Sequence, residues 1–256
     1  MKDQPMSTYE QLLRIRKERG AGYLVLIDPD KATGAGLPAV VRNATAAGAD
    51  AFLIGGSLML SDEFDAVLKT MKASTSLPVI IFPGSLFQIS PVADAILYLV
   101  LISGRNPDNL IGNHVIASPI IKRMGLETIS TAYMLIEGGT VTSAEFMSNT
   151  RPIPRAKPDI AVAHALAAEM IGMKVIYLEA GSGATQSVPV EMIRKVSRHC
   201  SLPLIVGGGI RTPEEARQKV EAGASFIVTG TVTEENATTD LMRAFADAIH
   251  SAAGRR

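Results

Sequence analysis

The chain has 256 residues, a length that suits a single domain with a large apolar core. Its 25 basic side chains balance its 25 acidic ones and only 5% of its residues are aromatic, which argues against a nucleic-acid partner. Cys200 is the only cysteine, so an intrachain disulfide is excluded, and the longest apolar run, residues 95–102, is far shorter than the ~20 residues of a membrane span. The first residues lack an apolar signal core, and we therefore expect a cytoplasmic protein.

The predicted elements alternate between helix and strand from the N-terminus. Leu12, Leu13 and Ile15 lie among charged side chains in residues 6–19, which predicts a short amphipathic helix that flanks or plugs the domain within residues 1–20. The first strand, residues 23–27, is apolar throughout and ends at Asp28, as expected of a strand buried on both faces. A helix at 37–47, a strand at 51–54, a helix at 62–74 and a third strand at 77–82 follow.

The alternation changes after the third strand. Only residues 83–94 separate it from the fourth strand, residues 95–101, and Pro83, Gly84 and Pro91 disfavour a full crossover helix there. We therefore predict a looser segment in place of the third outer helix, and with it an opening in the wall of the domain.

The second half of the chain completes a set of eight strands. Residues 106–124 are predicted to be partly helical, residues 126–136 to form strand five, residues 137–141 a hairpin turn and residues 151–158 a proline-rich loop. Helices follow at 159–173, 189–199, 213–222 and 238–252, with strands at 174–179, from 204 and at 225–229. This order predicts an α/β protein, a (β/α)8 TIM barrel that forms one domain over residues 1–256.

Glycines follow strands seven and eight. Gly207, Gly208 and Gly209 lead into a helix whose start, Thr212 to Glu215, has the pattern of a capping box, and backbone N–H groups at such a helix start bind phosphate. Gly230 and Thr231 form a second turn one unit later, and the loops after strands seven and eight are the usual phosphate site of a (β/α)8 barrel. Glycine turns also serve tight packing alone, so a purely structural role remains the alternative.

Polar side chains mark several other strand ends. Asp28, followed by Pro29, is either a turn former or an oxygen ligand for Mg²⁺, with Ser57 as a second oxygen. Glu179 ends an apolar strand, so that either its pKa is raised toward that of a useful base or the residue is solvated at the rim. Lys31 and Arg211 are either surface charges or weak site candidates.

The four histidines, by contrast, lie in predicted helices or loops, which argues against a histidine-ligated metal or a histidine acid–base relay. We expect each of them to be a surface or packing residue: His114, His164, His199 and His250.

Five segments together resemble one enzyme family. They are residues 28–31 (DPDK), 55–57 (GGS), 103–107 (SGRNP), 177–184 (YLEAGSGA) and 206–211 (VGGGIR). Together they are similar to the geranylgeranylglyceryl phosphate synthase family, which includes the bacterial heptaprenylglyceryl phosphate synthases. The resemblance runs from about residue 8 to 250 and is most specific at 177–184. That family is a (β/α)8 barrel whose third helix is replaced by a looser segment, in agreement with the short connection at 83–94.

The resemblance implies a reaction and a site. A prenyltransferase of this kind moves a geranylgeranyl or other polyprenyl group from its diphosphate to the 3-hydroxyl of sn-glycerol 1-phosphate, forming the first ether bond of an ether lipid. It implies Mg²⁺ as cofactor at Asp28 and Ser57, and Glu179 as the residue that contacts the glycerol hydroxyls and takes the proton. The implied glycerol phosphate site consists of Tyr177, Leu178, Glu179, Ala180, Gly181, Ser182, Gly183, Gly207, Gly208, Gly230 and Thr231. Many relatives have Asn where this chain has Thr231, so that contact is expected through backbone N–H alone.

The sequence also leads to expectations about partners and leaves two alternative functions open. We expect a homo-oligomer, a transient membrane-surface contact for product release, and a prenyl groove near five side chains: Leu86, Phe87, Ile96, Tyr98 and Leu99.

One alternative is a sugar-phosphate isomerase, lyase or thiamine phosphate synthase, which predicts an acid–base pair in a polar pocket and gives no reason for a missing third helix. The other is a non-catalytic phosphate- or FMN-binding barrel or a degenerate scaffold, which gives no use for Asp28 or Glu179.

Overall fold

The computed structural model describes residues 6–31, 36–230 and 238–252. Eight parallel strands close into one barrel in which each strand pairs with the next and the last pairs with the first. The strands are β1 Gly22–Ile27, β2 Ala51–Ile54, β3 Val79–Ile81, β4 Ala95–Val100, β5 Glu127–Leu135, β6 Val175–Glu179, β7 Leu204–Gly207 and β8 Phe226–Thr229. The predicted (β/α)8 barrel is confirmed.

Helices pack outside this barrel. They are α1 Thr8–Arg19, α2 Leu37–Ala46, α3 Phe64–Ser74, α4 Asn113–Met124, α5 Ser143–Ser148, α6 Pro158–Met170, α7 Val190–His199, α8 Pro213–Ala222 and α9 Thr239–Ala252, with a π-helical turn at Asp108–Gly112 before α4. Helix α1 begins with a capping box between Ser7 and Glu10. The N–H groups of Thr8 and Tyr9 donate to the Glu127 carboxylate at the start of β5, so α1 is fixed to the N-terminal end of the barrel.

The strands separate two apolar cores, which explains their continuous hydrophobic runs. Side chains alternate between the two faces of a strand, so Leu24, Ile205 and Phe226 point into the barrel while Tyr23 and Val206 pack under the helices. Each strand is therefore buried on both faces. Among the described residues, every helix is too short or too polar to cross a membrane.

No helix separates β3 from β4, as the sequence predicts. The connecting segment, residues 82–94, is irregular. Its Gln88 side chain is completely buried and accepts hydrogen bonds from the N–H groups of Gly56 (3.3 Å) and Gly84 (3.1 Å) while donating to the Gly56 carbonyl (2.7 Å). One amide thus ties the loops after β2 and β3 together.

The predicted hairpin turn at residues 137–141 is wrong. After β5 the chain makes one parallel bridge, Ile136 to Ile153, and turns into α5, whose start is capped by the Thr142 side chain. The physical reason is tertiary: a Cβ atom at Gly138 would lie 2.4 Å from the Ala180 carbonyl oxygen, so the glycine pair serves close approach to the loop after β6.

Candidate active site

The C-terminal ends of the strands bring the predicted site residues to one rim of the barrel. Strands β6, β7, β8, β1 and β2 are consecutive neighbours, so the segments that follow them form a continuous arc. Side chains alternate along a strand, so residues two positions apart point to the same side. The residues two positions before these four belong to the inner core of the barrel, so these four positions also face inward: Glu179, Gly207, Gly230 and Asp28. Residues far apart in sequence are thereby collected around one opening.

Glu179 ends β6 and is buried, with 5% of its surface exposed. Its Oε1 atom accepts a hydrogen bond from the Gly181 N–H at 2.6 Å. Burial raises the pKa of this carboxyl from 4.5 to about 7, against the opposing effects of the Gly181 N–H and the Tyr177 hydroxyl. The prediction of a raised pKa is confirmed, and a solvated rim position is excluded. A carboxyl with this pKa changes its protonation state near neutral pH, as a general base requires.

Tyr177 lies one inward step below Glu179 and belongs to an aromatic cluster. Its ring stacks on Phe82 at 5.0 Å and meets Tyr133 edge to face at 5.5 Å. The buried hydroxyl has no hydrogen-bond partner of normal geometry within the described chain, although it is near enough to Glu179 to influence that residue's pKa. An unpartnered buried hydroxyl beside the rim is available to a ligand.

The glycine turn after β7 leaves room for these groups. A Cβ at Gly207 would lie 2.5 Å from the Tyr177 hydroxyl and 2.9 Å from Glu179 Oε2. Gly208 has φ +80, and its Cβ would lie 2.2 Å from Glu179 Oε1. The turn leads into α8, where Thr212 and Glu215 form the predicted capping box. The glycine backbone here lies against the Glu179 carboxylate on one side and leads into the start of a helix. Glycine backbone at a helix start is the arrangement that binds phosphate in other proteins.

Asp28 and Ser57 lie at the neighbouring ends of β1 and β2. The Asp28 side chain is 27% exposed, its Oδ2 atom is 3.6 Å from Lys31 Nζ, and a Cβ at Gly56 would lie 3.4 Å from its Oδ1 atom. Asp30 is occupied differently, because its carboxylate accepts from Leu60 N–H and from the Ser61 N–H and hydroxyl, contacts that lower its pKa.

This donor set suits one kind of metal site. Within the described residues no three His, Cys, Asp or Glu side chains cluster as a complete protein-made metal site would require. One accessible carboxylate, with a serine on the loop after the neighbouring strand, fits Mg²⁺, which takes one or two protein carboxylates and completes its octahedron with water and substrate phosphates.

An apolar groove opens where the third helix is absent. It runs between the irregular segment after β3, strand β4 and helix α4. Of the five predicted groove residues, Leu86, Ile96, Tyr98 and Leu99 line it, and Phe87 is 87% exposed to solvent instead. The groove is lined further by Pro83, Gly84, Ser85, Ile89, Leu97, Asn109, Asn113, His114, Ala117 and Ile121.

His114 lies in this groove rather than at the surface. Its Nε2 atom is 2.7 Å from the Leu99 carbonyl oxygen, which can only accept, so Nε2 carries the proton. Burial lowers its pKa, against the opposing effect of the Leu99 carbonyl, and the ring packs edge to face on Tyr98 at 4.6 Å. A neutral imidazole is compatible with an apolar lining. The other three histidines contact carbonyls of their own helix or, for His250, the Asp50 carboxylate at 2.8 Å.

The groove lies next to the loops of the rim. A Cβ at Gly84, which lines the groove, would lie 2.1 Å from the Gly56 carbonyl oxygen and 2.9 Å from the Ser57 Cα. Gly56 in turn adjoins Asp28. The wall of the groove at Gly84 therefore packs against the loop that carries Gly56 and Ser57, next to Asp28.

The remaining predicted site residues take different positions. Leu178 and Ala180 point into the outer core and can offer only backbone groups, whereas Ser182 and Gly183 are exposed at the tip of the loop after β6. Gly230 directly follows β8 and lies beside Leu26, and Thr231 lies outside the described residues. Sequence reasoning missed Gln88 and the groove position of His114, because no local pattern distinguishes either from an ordinary polar residue.

Comparison with known proteins shows the family of this chain. The model of the PcrB family matches residues 13–249. A protein from Chitinophaga pinensis named geranylgeranylglyceryl phosphate synthase is 47% identical over 93% of this chain and 94% of its own length. One of that name from Methanosphaera stadtmanae is 44% identical over 89% and 93%.

A solved structure shares the fold in detail. The crystal structure of (S)-3-O-geranylgeranylglyceryl phosphate synthase from Thermoplasma acidophilum, in complex with its substrate sn-glycerol-1-phosphate, superposes with a TM-score of 0.91 and is 34% identical, covering 96% of this chain and 99% of that one. This chain therefore belongs to the PcrB family, with geranylgeranylglyceryl phosphate synthases as its relatives.

Proposed function

We propose that this protein is a prenyltransferase that joins a geranylgeranyl or other polyprenyl group to the 3-hydroxyl of sn-glycerol 1-phosphate. The observation that carries the proposal is an apolar groove whose wall adjoins a polar rim with glycine turns and a buried glutamate. A reaction between a lipid and a small phosphate needs both surfaces to meet at one point. The relatives that bear the synthase name support the same assignment.

The glycerol phosphate is proposed to occupy the arc from β6 to β8. Its phosphate would contact backbone groups at residues 182 and 183, at Gly207 and Gly208, and at Gly230, supported by the glycine turns and the nearby start of α8, while the Gly181 N–H stays with Glu179. The buried Tyr177 hydroxyl, which lacks a partner of normal geometry in the described chain, would bind a substrate oxygen. Thr231, the last of the proposed phosphate contacts, lies outside the described residues.

Glu179 is proposed to take the proton in the chemical step. The bond between the allylic carbon and the diphosphate oxygen breaks with its electron pair going to diphosphate, and the glycerol 3-hydroxyl oxygen forms a new bond to that carbon. The hydroxyl proton passes to the ionised Glu179 carboxylate, whose pKa of about 7 is matched to this task. Because the allylic cation is delocalised, positioning of the hydroxyl and stabilisation of the leaving group supply most of the catalysis.

The cofactor is proposed to be Mg²⁺, held by Asp28 and Ser57 together with the diphosphate. When bound, the ion would supply positive charge that stabilises the leaving diphosphate. The support is the donor set, one accessible carboxylate and one hydroxyl on loops next to the wall of the groove. Asp28 would also fix the position of the diphosphate relative to the groove.

The groove is proposed to hold the prenyl chain. Burying a twenty-carbon tail at ~0.8 kcal/mol per CH₂ gives a gross upper limit of about 16 kcal/mol, far more than one polar contact contributes. Binding of the diphosphate substrate should therefore depend mainly on the groove, whose walls are apolar side chains such as Ile96 and Ile121.

Three further assignments are proposed with this function. A homo-oligomer is supported by exposed apolar side chains on α4 and α5, among them Val115, Ile116 and Phe146, and light scattering tests it. A transient membrane-surface contact for product release is supported by Leu60 and Phe87, which are exposed on the loops after β2 and β3, and vesicle flotation tests it. A cytoplasmic location agrees with a single cysteine that is free and buried.

The reaction is tested directly by solvent extraction. Labelled sn-glycerol 1-phosphate is incubated with geranylgeranyl diphosphate, Mg²⁺ and the protein, and label is expected in the organic phase. Reactions without the diphosphate or with excess chelator are the controls, and each should leave the label in water. If label stays in the aqueous phase with every prenyl length tried, the transferase assignment is wrong.

A further inference from the structure

The loop after β6, residues 180–188, lies between two other loops of the rim. On one side, the Gln186 N–H and the Thr185 hydroxyl donate to the Gly138 carbonyl at 3.0 Å and 3.1 Å. On the other side, a Cβ at Gly209 would lie 3.1 Å from the Ala184 carbonyl oxygen. The shape of this loop therefore determines how the turns after β5, β6 and β7 fit together.

Three cationic side chains hold the outer half of this loop by its carbonyl groups. Arg211 donates to the carbonyls of residues 184 (2.9 Å) and 185 (3.1 Å). Arg155 donates to the carbonyl of residue 187 (2.8 Å) and also to that of Glu137 (3.0 Å). Lys219, on α8, donates to the carbonyl of residue 188 (2.8 Å). The cations come from three separate parts of the chain, and we call them the cation clamp.

Glu137 lies near Arg155 and Glu215 lies near Lys219, but within the described residues no carboxylate forms a direct ion pair with the clamp. Lys219 is 2% exposed, and burial lowers its pKa to about 8, with Glu215 raising it and Arg155 lowering it further. Among the described residues, the ion pairs formed with carboxylates involve other cations. Burying an ammonium whose hydrogen-bond partner is a carbonyl costs free energy. A neutral donor would fix the shape of the loop at a lower cost, which suggests that the positive charge has a further role.

We propose that Arg155, Lys219 and Arg211 are positioning residues for a bound phosphate: they fix the loop after β6 against the glycine turns and supply the positive charge that a phosphate dianion requires. The inference deepens the proposed function and rests on it for the identity of the ligand. No clamp residue is proposed to touch the reacting atoms. The clamp holds residues 184–188 and acts through the preceding residues 182 and 183, which are exposed at the tip of the loop.

The test measures phosphate binding separately from turnover. Lys219→Met and Arg155→Met are compared with Arg155→Lys, which keeps the charge, and with Lys72→Met as a matched control. Lys72 pairs with Asp94 just before β4, at the opposite end of the barrel. Calorimetry with sn-glycerol 1-phosphate and with inorganic phosphate gives Kd, and turnover at saturating glycerol phosphate gives kcat. Thermal unfolding identifies any variant that does not fold, and Arg155, being only half-buried, provides the second variant in that case.

The expected result is a split between binding and turnover. Each Met variant of the clamp should weaken binding of both ligands about tenfold or more, since each removes a charged hydrogen bond to the loop and a nearby positive charge. The kcat at saturation should change less than the Kd, Arg155→Lys should recover part of the loss, and Lys72→Met should bind as the wild type does.

The pH dependence supplies a readout that loop packing alone would not give. The groups facing the Lys219 ammonium are the Val188 carbonyl, Glu215 on its own helix and Arg155 from the segment before α6. Because the charged ammonium favours a bound anion, phosphate binding by the wild type should weaken as the pH rises through about 8. In Lys219→Met this decline should be absent.

The outcomes separate this inference from the proposed function. If the wild type binds both ligands and the clamp variants bind them equally well with an unchanged pH dependence, the clamp inference is wrong and the proposed function stands. If the wild type binds inorganic phosphate but not sn-glycerol 1-phosphate, and the clamp variants lose phosphate, the proposed substrate is wrong and the clamp stands. A wild type that binds neither ligand overturns both.

Discussion

The buried carboxyl of Glu179 makes one substitution especially informative. Glu179→Gln keeps the length of the side chain and an oxygen that accepts from the Gly181 N–H, while it removes the titration and the ability to take a proton. The substitution should therefore change three quantities that depend on the ionisation of Glu179: turnover, the pH dependence of turnover and the stability of the fold.

The effect on stability follows from the raised pKa. In the unfolded chain the carboxyl ionises near its ordinary value of 4.5, whereas in the folded protein it does so at about 7. Between these values the folded state holds a proton that the unfolded state has released, so the wild type loses stability as the pH rises through this window. At ~1.4 kcal/mol per pH unit, the full difference is about 3 kcal/mol. The Gln variant lacks this loss and should be more stable than the wild type above about pH 7, with the advantage vanishing below about pH 4.5.

The effect on activity has the opposite sign. Only the ionised carboxylate accepts a proton, so wild-type turnover should rise with pH through about 7. The Gln variant should lose about 10²- to 10⁴-fold in kcat, a typical contribution of a general base, and show a flat profile in this range. The KM for sn-glycerol 1-phosphate should change less than kcat.

Urea unfolding at several pH values and steady-state kinetics measure these quantities. Glu18→Gln is the control, because Glu18 is exposed on α1 and pairs with Arg14 at 3.7 Å; it should alter neither the stability nor the kinetics. A Gln variant that keeps the wild-type pH profile of turnover would show that another group takes the proton. Equal losses in kcat and in glycerol phosphate affinity would make Glu179 a binding residue only.

Three other substitutions test separate parts of the site. Asp28→Ala should abolish turnover without changing the thermal unfolding temperature by much, because its carboxylate serves the leaving group, and unchanged activity across a Mg²⁺ titration would remove it from the metal site. Tyr177→Phe removes a buried hydroxyl that has no hydrogen-bond partner of normal geometry in the described chain. The free energy of unfolding should rise by up to ~1–3 kcal/mol, and the KM for glycerol phosphate should also rise. A loss of stability would refute this account. Ala117→Phe fills part of the groove and should shift preference to shorter prenyl diphosphates, as measured by product chain length, with no shift if the chain binds elsewhere.

The sequence by itself determined much of the architecture. Strands buried on both faces read as continuous apolar runs, and helices such as α8 carry their own start signals in Thr212 and Glu215, so both are specified by neighbours in the chain. The missing third helix followed from a short segment with two prolines. The sequence also placed Glu179 at the end of an apolar strand, but the structure was needed to show that its side chain points inward, on the same face as Tyr177.

Only the tertiary structure decided the chemistry of these positions. The pKa of Glu179 depends on how much of the barrel covers it, and the position of Tyr177 depends on Gly207, which belongs to a neighbouring strand. The hydrogen bonds of Gln88, the groove contacts of His114 and the carbonyl contacts of Lys219 all join residues distant in sequence. Desolvation and hydrogen bonding are set by what surrounds a group in space, and strand order around the closed barrel fixes those surroundings.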